Sequence, residues 1–392
     1  MTPSARVQSA IDLLDRVIVA ARTQGAPADR ILGEWFKSNR FAGSKDRRAI
    51  RELVFAAIRA CGPLPASGRA AMLRLVEEDA SLAGLFDGSS YGPAAIGPGE
   101  GAAAGGIAPD WLVERLAASG IAGAEAAALL DRAPLDLRVN TLKASRSALR
   151  LPADTAPTAT PNGLRLESGT QVEQWDAFRE GLIEVQDTGS QLACLAVGAQ
   201  PGEAVIDLCA GGGGKTLALA AAMEDRGRLI ASDTDRQRLS RLAPRAARAG
   251  ATIVETRLLD PGRELEALGD LAHAADAVLI DAPCSGTGTW RRNPEARWRL
   301  TPDGLAKLVA TQARLLDIAA TLVKSGGRLI YVVCSLLDEE GSEQFAAFLQ
   351  RNPRFTAARR DLSSGTARGE GIRLTPYRDG TDGFFIACAT SS

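Results

Sequence analysis

Residues 204–216 read AVIDLCAGGGGKT: a short apolar, β-branched run stops at Asp207 and passes through four glycines, Gly211 to Gly214, into a helical pattern. Comparable runs return as RLIASD (228–233), ATIVETR (251–257), AVLIDAP (277–283) and RLIYVVCS (328–335), separated mostly by segments of helical spacing. Buried strands that alternate with helices predict an α/β fold, a parallel sheet covered on both faces. GFFIACA (383–389) reads as a last strand pairing antiparallel at or near the edge.

The glycine loop suits a ligand that must approach backbone at a helix N-terminus. A Walker A loop needs a glycine five positions before Gly214, where Cys209 stands, so that reading fails. A dinucleotide fingerprint starting at Gly211 reaches Thr216 at its third glycine position and is imperfect. S-adenosylmethionine remains, its amino-acid end against the glycine turn. The loop by itself does not choose between dinucleotide and S-adenosylmethionine. The second strand ends at Asp233, placed to accept both ribose hydroxyls. Asp260 follows the third strand and is expected near the adenine.

The fourth and fifth strands end in Asp281-Ala282-Pro283-Cys284-Ser285-Gly286 and Val333-Cys334-Ser335. In a doubly wound sheet ligands bind outside the carboxyl ends of the strands, so both thiols are expected to face the cofactor crevice. Cys61, Cys194 and Cys388 read as small buried apolar residues. Two thiols and an acid beside a methyl donor suit carbon 5 of a pyrimidine, which is too poor a nucleophile to be methylated directly. A thiolate adding to carbon 6 activates carbon 5; afterwards the carbon 5 proton must leave and the thiol be expelled. Asp281 is placed to hold the cytosine edge, and the base must be out of its stack. The sole histidine, His273, reads as a surface residue.

Further out, residues 1–75 carry thirteen Lys/Arg against six Asp/Glu in a chain of net charge −1, which concentrates the expected phosphate contact in one segment. Ala10, Ile11, Leu13, Leu14, Val17, Ile18 and Ala21 follow helical spacing. AIRELVFAAIRACG repeats that period up to Gly62-Pro63, with Ser44 as an expected cap. Residues 87–106 are Gly/Ala/Pro-rich and read as a linker or surface excursion. Short strands at 135–183, with a helix at SRSALR (145–150), suggest a small α+β module. No apolar run reaches the ~18–20 residues of a membrane span. With six scattered cysteines, no CxxC pair and one histidine, neither a disulfide framework nor a metal site is expected. The expected setting is a reducing cytoplasm, without membrane attachment.

Taken together these residues resemble the Sun-type RNA (cytosine-5) methyltransferases, and within them the bacterial branch that modifies 16S ribosomal RNA. Cys209–Lys215 (Cys209, Ala210, Gly211, Gly212, Gly213, Gly214, Lys215) resembles that family's cofactor loop, CAAPGGK, and Asp233, Asp260 and Asp281 its cofactor acids. DAPCSGTGTWRRNP, 281–294, resembles its most specific motif; LDLRVNTLK and EVQDTGSQLA also match. The resemblance implies a class I (Rossmann-like) methyltransferase fold at 184–392, with Cys334 as nucleophile and Cys284 assisting product release. It implies an all-α NusB-like RNA-binding domain at 1–86, then the linker at 87–106. A helical connector and an RNA-recognition-like module occupy 107–183. Arg40, Lys45, Arg47 and Arg48 are the expected phosphate contacts. RNA is the expected partner of a monomer; tRNA is the alternative substrate, and a non-catalytic ribosome-assembly factor the alternative class. The chain departs from the family pattern at Gly211-Gly212, where Ala-Pro is usual, at Val333, where Thr is usual, and in its short helical part followed by the glycine-rich stretch.

Overall fold

The computed structural model describes residues 1–392 and divides into two compact units. The first comprises Met1–Asp131 together with Thr289–Thr301, the second Arg132–Gly288 with Pro302–Ser392.

The first unit is helical: α1 (Pro3–Arg22), α2 (Ala28–Ser38), α3 (Ser44–Ala60), α4 (Gly68–Glu78) and α5 (Asp110–Ala118). The periodic apolar face of α1 is buried throughout and packs into one core with Ile50, Val54 and Met72. Ser44 is already helical and does not cap α3. Asp46 does that work, its carboxylate accepting from the Gly43 N–H at 3.2 Å while pairing with Arg6 at 2.8 Å. The expected linker at 87–106 is laid against this unit: the Ala103 N–H donates to the Ala70 carbonyl at 2.9 Å, the Gly62 N–H to Ala104 at 3.1 Å, and Arg69 pairs with Glu100. A glycine-rich sequence signals freedom in the unfolded chain, and here backbone hydrogen bonds to α4 and to the turn after α3 use it up.

Residues 289–301, expected inside the catalytic part, belong to this helical unit. Their side chains close three helix ends. Arg297 is fully buried and donates to the carbonyls of Ile58 (2.7 Å), Arg59 (3.3 Å) and Cys61 (2.7 Å), where α3 runs out. Arg299 does the same beyond α1, reaching the Ala20 (3.2 Å), Gly25 (2.8 Å) and Ala26 (2.8 Å) carbonyls. Glu295 accepts from the Ala28 N–H at 2.9 Å, at the start of α2. Cations at C-termini and an anion at an N-terminus match both the orphan backbone groups and the helix dipoles.

In the second unit, β1 (Leu135–Val139), β2 (Ala156–Pro157), β3 (Gly163–Leu166) and β4 (Ile183–Val185) form an antiparallel sheet in the order β2-β3-β1-β4. The helix expected at SRSALR is a turn, with the Ala148 and Leu149 N–H groups sharing the Ser145 carbonyl. Four polar residues among six leave it no apolar face to bury.

The large sheet contains β5 (Ala204–Asp207), β6 (Arg228–Asp233), β7 (Val254–Leu258), β8 (Ala275–Asp281), β9 (Val323–Val333), β10 (Phe355–Ala357), β11 (Thr366–Arg368), β12 (Gly371–Leu374) and β13 (Phe384–Ser391). Its order is β11-β12-β13-β9-β8-β5-β6-β7, with β10 paired to β13. Strands β5 to β9 are parallel, and β13 lies antiparallel beside β9, two strands in from the edge. Val205, Leu229 and Leu279 pack into one helical layer and Ile206, Ile230 and Ile280 into the other, the period of two that a sheet covered on both faces requires. The chain lays β6 and β7 to one side of β5 and then returns to place β8 on the other. The switch point therefore falls between β5 and β8, at the carboxyl ends of the parallel strands.

Candidate active site

At that switch point opens a cleft of about 830 Å³, lined by the ends of β5, β6, β8 and β9, within the roughly 300–1,000 Å³ of small-molecule sites. Cys209, Ala210, Gly211, Gly212, Gly214, Lys215, Asp233, Asp281, Cys284 and Cys334, all expected from the sequence, line it. Gly213 does not; it holds the turn, with φ +85° and a hypothetical Cβ 2.1 Å from Leu242 Cδ1, so a side chain there would strain the turn and displace Leu242. Asp260 is exposed, and its neighbours Leu259 and Pro261 line the cleft instead, because the turn after β7 presents the Asp260 side chain to solvent. His273 is exposed in a turn before β8, as expected.

The cleft fits a nucleoside cofactor. Asp233 accepts from the Gly211 N–H (Oδ2, 2.7 Å) and the Asp235 N–H (Oδ1, 2.7 Å), which fixes the carboxylate and leaves each oxygen a second lone pair for ribose hydroxyls. Asp207, fully buried, accepts from the Thr216 hydroxyl at 2.7 Å while its Oδ1 has no partner. Burial pushes its carboxyl up to about 7; the Thr216 bond opposes this and the neighbouring Asp281 charge adds to it. Where the family's loop carries proline, Gly212 is held from outside, its carbonyl accepting from Arg245 at 2.5 Å. Arg245 is itself anchored on Glu184 of β4 at 2.8 Å. That tie replaces a local restraint with a tertiary one, which is why the glycines alone did not reveal it.

Lys215 donates to Asp281 Oδ2 at 2.7 Å and lies 5.6 Å from the Phe384 ring centroid. Burial, the largest single influence, lowers its ammonium pKa, but the charge and hydrogen bond of Asp281 together with Cys194 and Cys334 outweigh it and raise the pKa on balance. Beside it, the Cys284 and Cys334 sulfurs stand 3.4 Å apart. The hydrogen bond with Cys334, then burial, then the Cys334 and Glu340 charges push the Cys284 thiol well above its usual range. Cys284 accordingly holds its proton. Cys61, Cys194 and Cys388 are buried, as expected.

The comparisons with known proteins agree with this geometry. The family described as "16S rRNA methyltransferase RsmB/F" matches residues 194–389. The chain belongs to that family. A probable ribosomal RNA small subunit methyltransferase B from Synechocystis is 37% identical over 298 residues, 71% of this chain and 66% of the relative. The chain spans just under two thirds of the length of the curated relatives it matches. Among solved structures, PH0851 superposes with a TM-score of 0.78 at 26% identity, covering 99% of both chains. NSun6 from Pyrococcus horikoshii, solved with SFG, superposes at 0.62 over 72% of this chain and 98% of its own; at 21% identity that likeness concerns the fold alone. S-adenosylmethionine is the cofactor of such a cleft.

Three contributors escaped the sequence reading: Arg245, Glu340 and the role of Lys215 as partner of Asp281. Of the expected phosphate contacts, which all lie in the helical unit, Arg40 and Lys45 are exposed. Arg48 pairs with Glu52 at 3.2 Å. Arg47, in the first turn of α3, is committed to the preceding loop, bonded to the Ala42 carbonyl at 2.8 Å and set over Phe36. No helix is long and apolar enough to cross a membrane.

Proposed function

We propose that this chain methylates carbon 5 of a cytosine in 16S ribosomal RNA through a covalent adduct of Cys334 with carbon 6. The observation that carries the reading is the pair of thiols 3.4 Å apart inside the cofactor cleft, with a half-buried Lys–Asp ion pair beside them. A methyltransferase acting on oxygen or nitrogen has no use for two such sulfurs.

Cys334 thiolate forms the sulfur–carbon 6 bond, the 5,6 double bond opens, and its electrons become available at carbon 5. Asp281, fixed by Lys215, holds the base edge and favours that addition. When bound, S-adenosylmethionine supplies the electrophilic methyl group. Cys284, in contact with the nucleophilic sulfur, assists the release: the carbon 5 proton passes to solvent water as base, the double bond re-forms from the carbon–hydrogen electron pair, and Cys334 departs as thiolate beside the Cys284 thiol. The choice of Cys334 rather than Cys284 as nucleophile rests on the family resemblance, since either sulfur can donate in their contact.

The helical unit, NusB-like by resemblance, and the small α+β module at 135–183 serve RNA binding in this reading, with Arg40 exposed before α3 and Lys45 exposed in its first turn. The test is transfer of a labelled methyl group to 16S ribosomal RNA, naked and within the small subunit, followed by digestion to nucleosides. The expected product is 5-methylcytidine. Label in any other nucleoside, or in tRNA alone, contradicts the reading.

A further inference from the structure

Behind the two thiols lies a carboxylate with no cationic partner. Glu340 is fully buried, six residues beyond Cys334. Its Oε1 accepts from the Ser285 N–H at 2.8 Å and from Gln312 Nε2 at 2.9 Å; its Oε2 accepts from the Ser335 hydroxyl at 2.5 Å and from the Ser285 hydroxyl. All four donors are neutral, and three of them belong to the residues that directly follow the cysteines. A buried, unpaired carboxylate costs several kcal/mol unless it is fully hydrogen-bonded, so the arrangement is one of position rather than of charge neutralisation.

The rest of the network has the same direction. The Ser285 and Ser335 hydroxyls are 3.1 Å apart, Thr287 Oγ1 accepts from the Leu336 N–H at 2.8 Å, and the Gly288 N–H donates to the Cys334 carbonyl at 3.0 Å. The Tyr331 hydroxyl donates to the Glu340 carbonyl at 2.6 Å, which anchors the carboxylate's own backbone to β9.

We propose that Glu340 is the positioning residue of this site, a buried carboxylate that ties the Cys284–Ser285 turn to the Cys334–Ser335 turn and so fixes the separation of the two thiols. The inference rests on the adduct chemistry proposed above. That chemistry needs addition at carbon 6 and departure of the carbon 5 proton served by two sulfurs at one base, and misplacement by about 1 Å costs about 100-fold.

Glutamine is the informative substitution. Its amide oxygen can keep the Ser285 N–H and Gln312, while its NH₂ donates to the two serine hydroxyls, which rotate to accept. Glu340→Gln therefore keeps the tie and Glu340→Ala removes it. In the full-length protein, Glu340→Ala is expected to lower kcat for RNA about 100-fold, with KM for RNA and binding of S-adenosylmethionine held within about threefold. Glu340→Gln is expected to recover most of that loss. A second readout needs no RNA: oxidised glutathione takes two hydrogens from the Cys284 and Cys334 thiols, giving their disulfide and two reduced glutathiones. That closure, followed by peptide mass, is expected to be similar in wild type and Glu340→Gln and at least about tenfold slower in Glu340→Ala, by the same misplacement argument. Should Glu340→Ala fail to fold, Ser335→Ala removes one turn's donor and is expected to slow closure in the same direction.

A folded Glu340→Ala with kcat within threefold of wild type, or a Glu340→Gln that falls as far as Glu340→Ala, overturns the proposal. So does equal disulfide closure in wild type and Glu340→Ala. If the wild type methylates no RNA, the reading of function fails, while the disulfide rates still decide whether Glu340 holds the thiols.

Discussion

Residues 281–288 and 289–301 are continuous in sequence, and the family motif at 281–294 crosses the boundary between them, yet they do different work. The first eight carry Asp281 and Cys284 into the cleft at the end of β8. The next thirteen leave that unit and close the ends of α1, α2 and α3 with Arg299, Glu295 and Arg297. The motif thus begins in the cleft and runs out of that unit, and the helix-capping residues Glu295, Arg297 and Arg299 follow directly behind it. The distinction is visible only from where each side chain's hydrogen bonds end.

Substitutions in the two stretches, and in the neighbours of each, sharpen that comparison. The largest effect belongs to the catalytic side. Cys334→Ala, which removes the proposed nucleophile, is expected to lower methyl transfer by at least about 10⁴-fold without changing the melting temperature or the affinity for S-adenosylmethionine. Single-turnover transfer and a thermal melt check it. Arg297→Ala should do the reverse. It leaves three carbonyls at the end of α3 unpaired and is expected to destabilise the helical unit by about 3–5 kcal/mol, with cofactor affinity unchanged. Denaturant unfolding followed by the helical signal measures this, and an Arg297→Ala protein of wild-type stability would break the comparison.

Asp207 lies on the catalytic side but reports through stability. Between about pH 4 and 7 its native carboxyl holds a proton that the unfolded chain has released. Its contribution is therefore complete below the ordinary carboxyl pKa and is lost as pH rises through about 7. Asp207→Asn is expected to flatten the fall in stability between pH 5 and pH 8, read as melting temperature against pH. The smallest effect is assigned to the surface of the helical unit. Arg40→Glu with Lys45→Glu should reduce the slope of log affinity for RNA against log salt by about one unit per lost phosphate contact. An unchanged slope would confine these two residues to a structural role.

The parallel sheet, the glycine loop, Asp233 and both thiols were legible in the sequence because each sits where a strand ends, and strand ends are marked by local pattern. Asp260 fulfils the same local rule, but which way a turn presents its side chain is set by packing outside the turn. Glu340 and Arg245 had no local mark: one acquires meaning from a serine 55 residues away, the other from a glycine 33 residues away. The stretch 87–106 is the surface excursion its composition allowed rather than a free linker, since backbone hydrogen bonds at Ala103 and Ala104 tie its end to the helical unit.

The central claim is the division of labour between two sulfurs 3.4 Å apart, and covalent trapping tests it most directly. Wild type, Cys284→Ala and Cys334→Ala are each incubated with S-adenosylmethionine and small-subunit ribosomal RNA and separated under denaturing conditions. The account predicts an RNA-linked band that accumulates in Cys284→Ala and is absent from Cys334→Ala. A band in Cys334→Ala, or none in Cys284→Ala when the wild type methylates the same RNA, would contradict it.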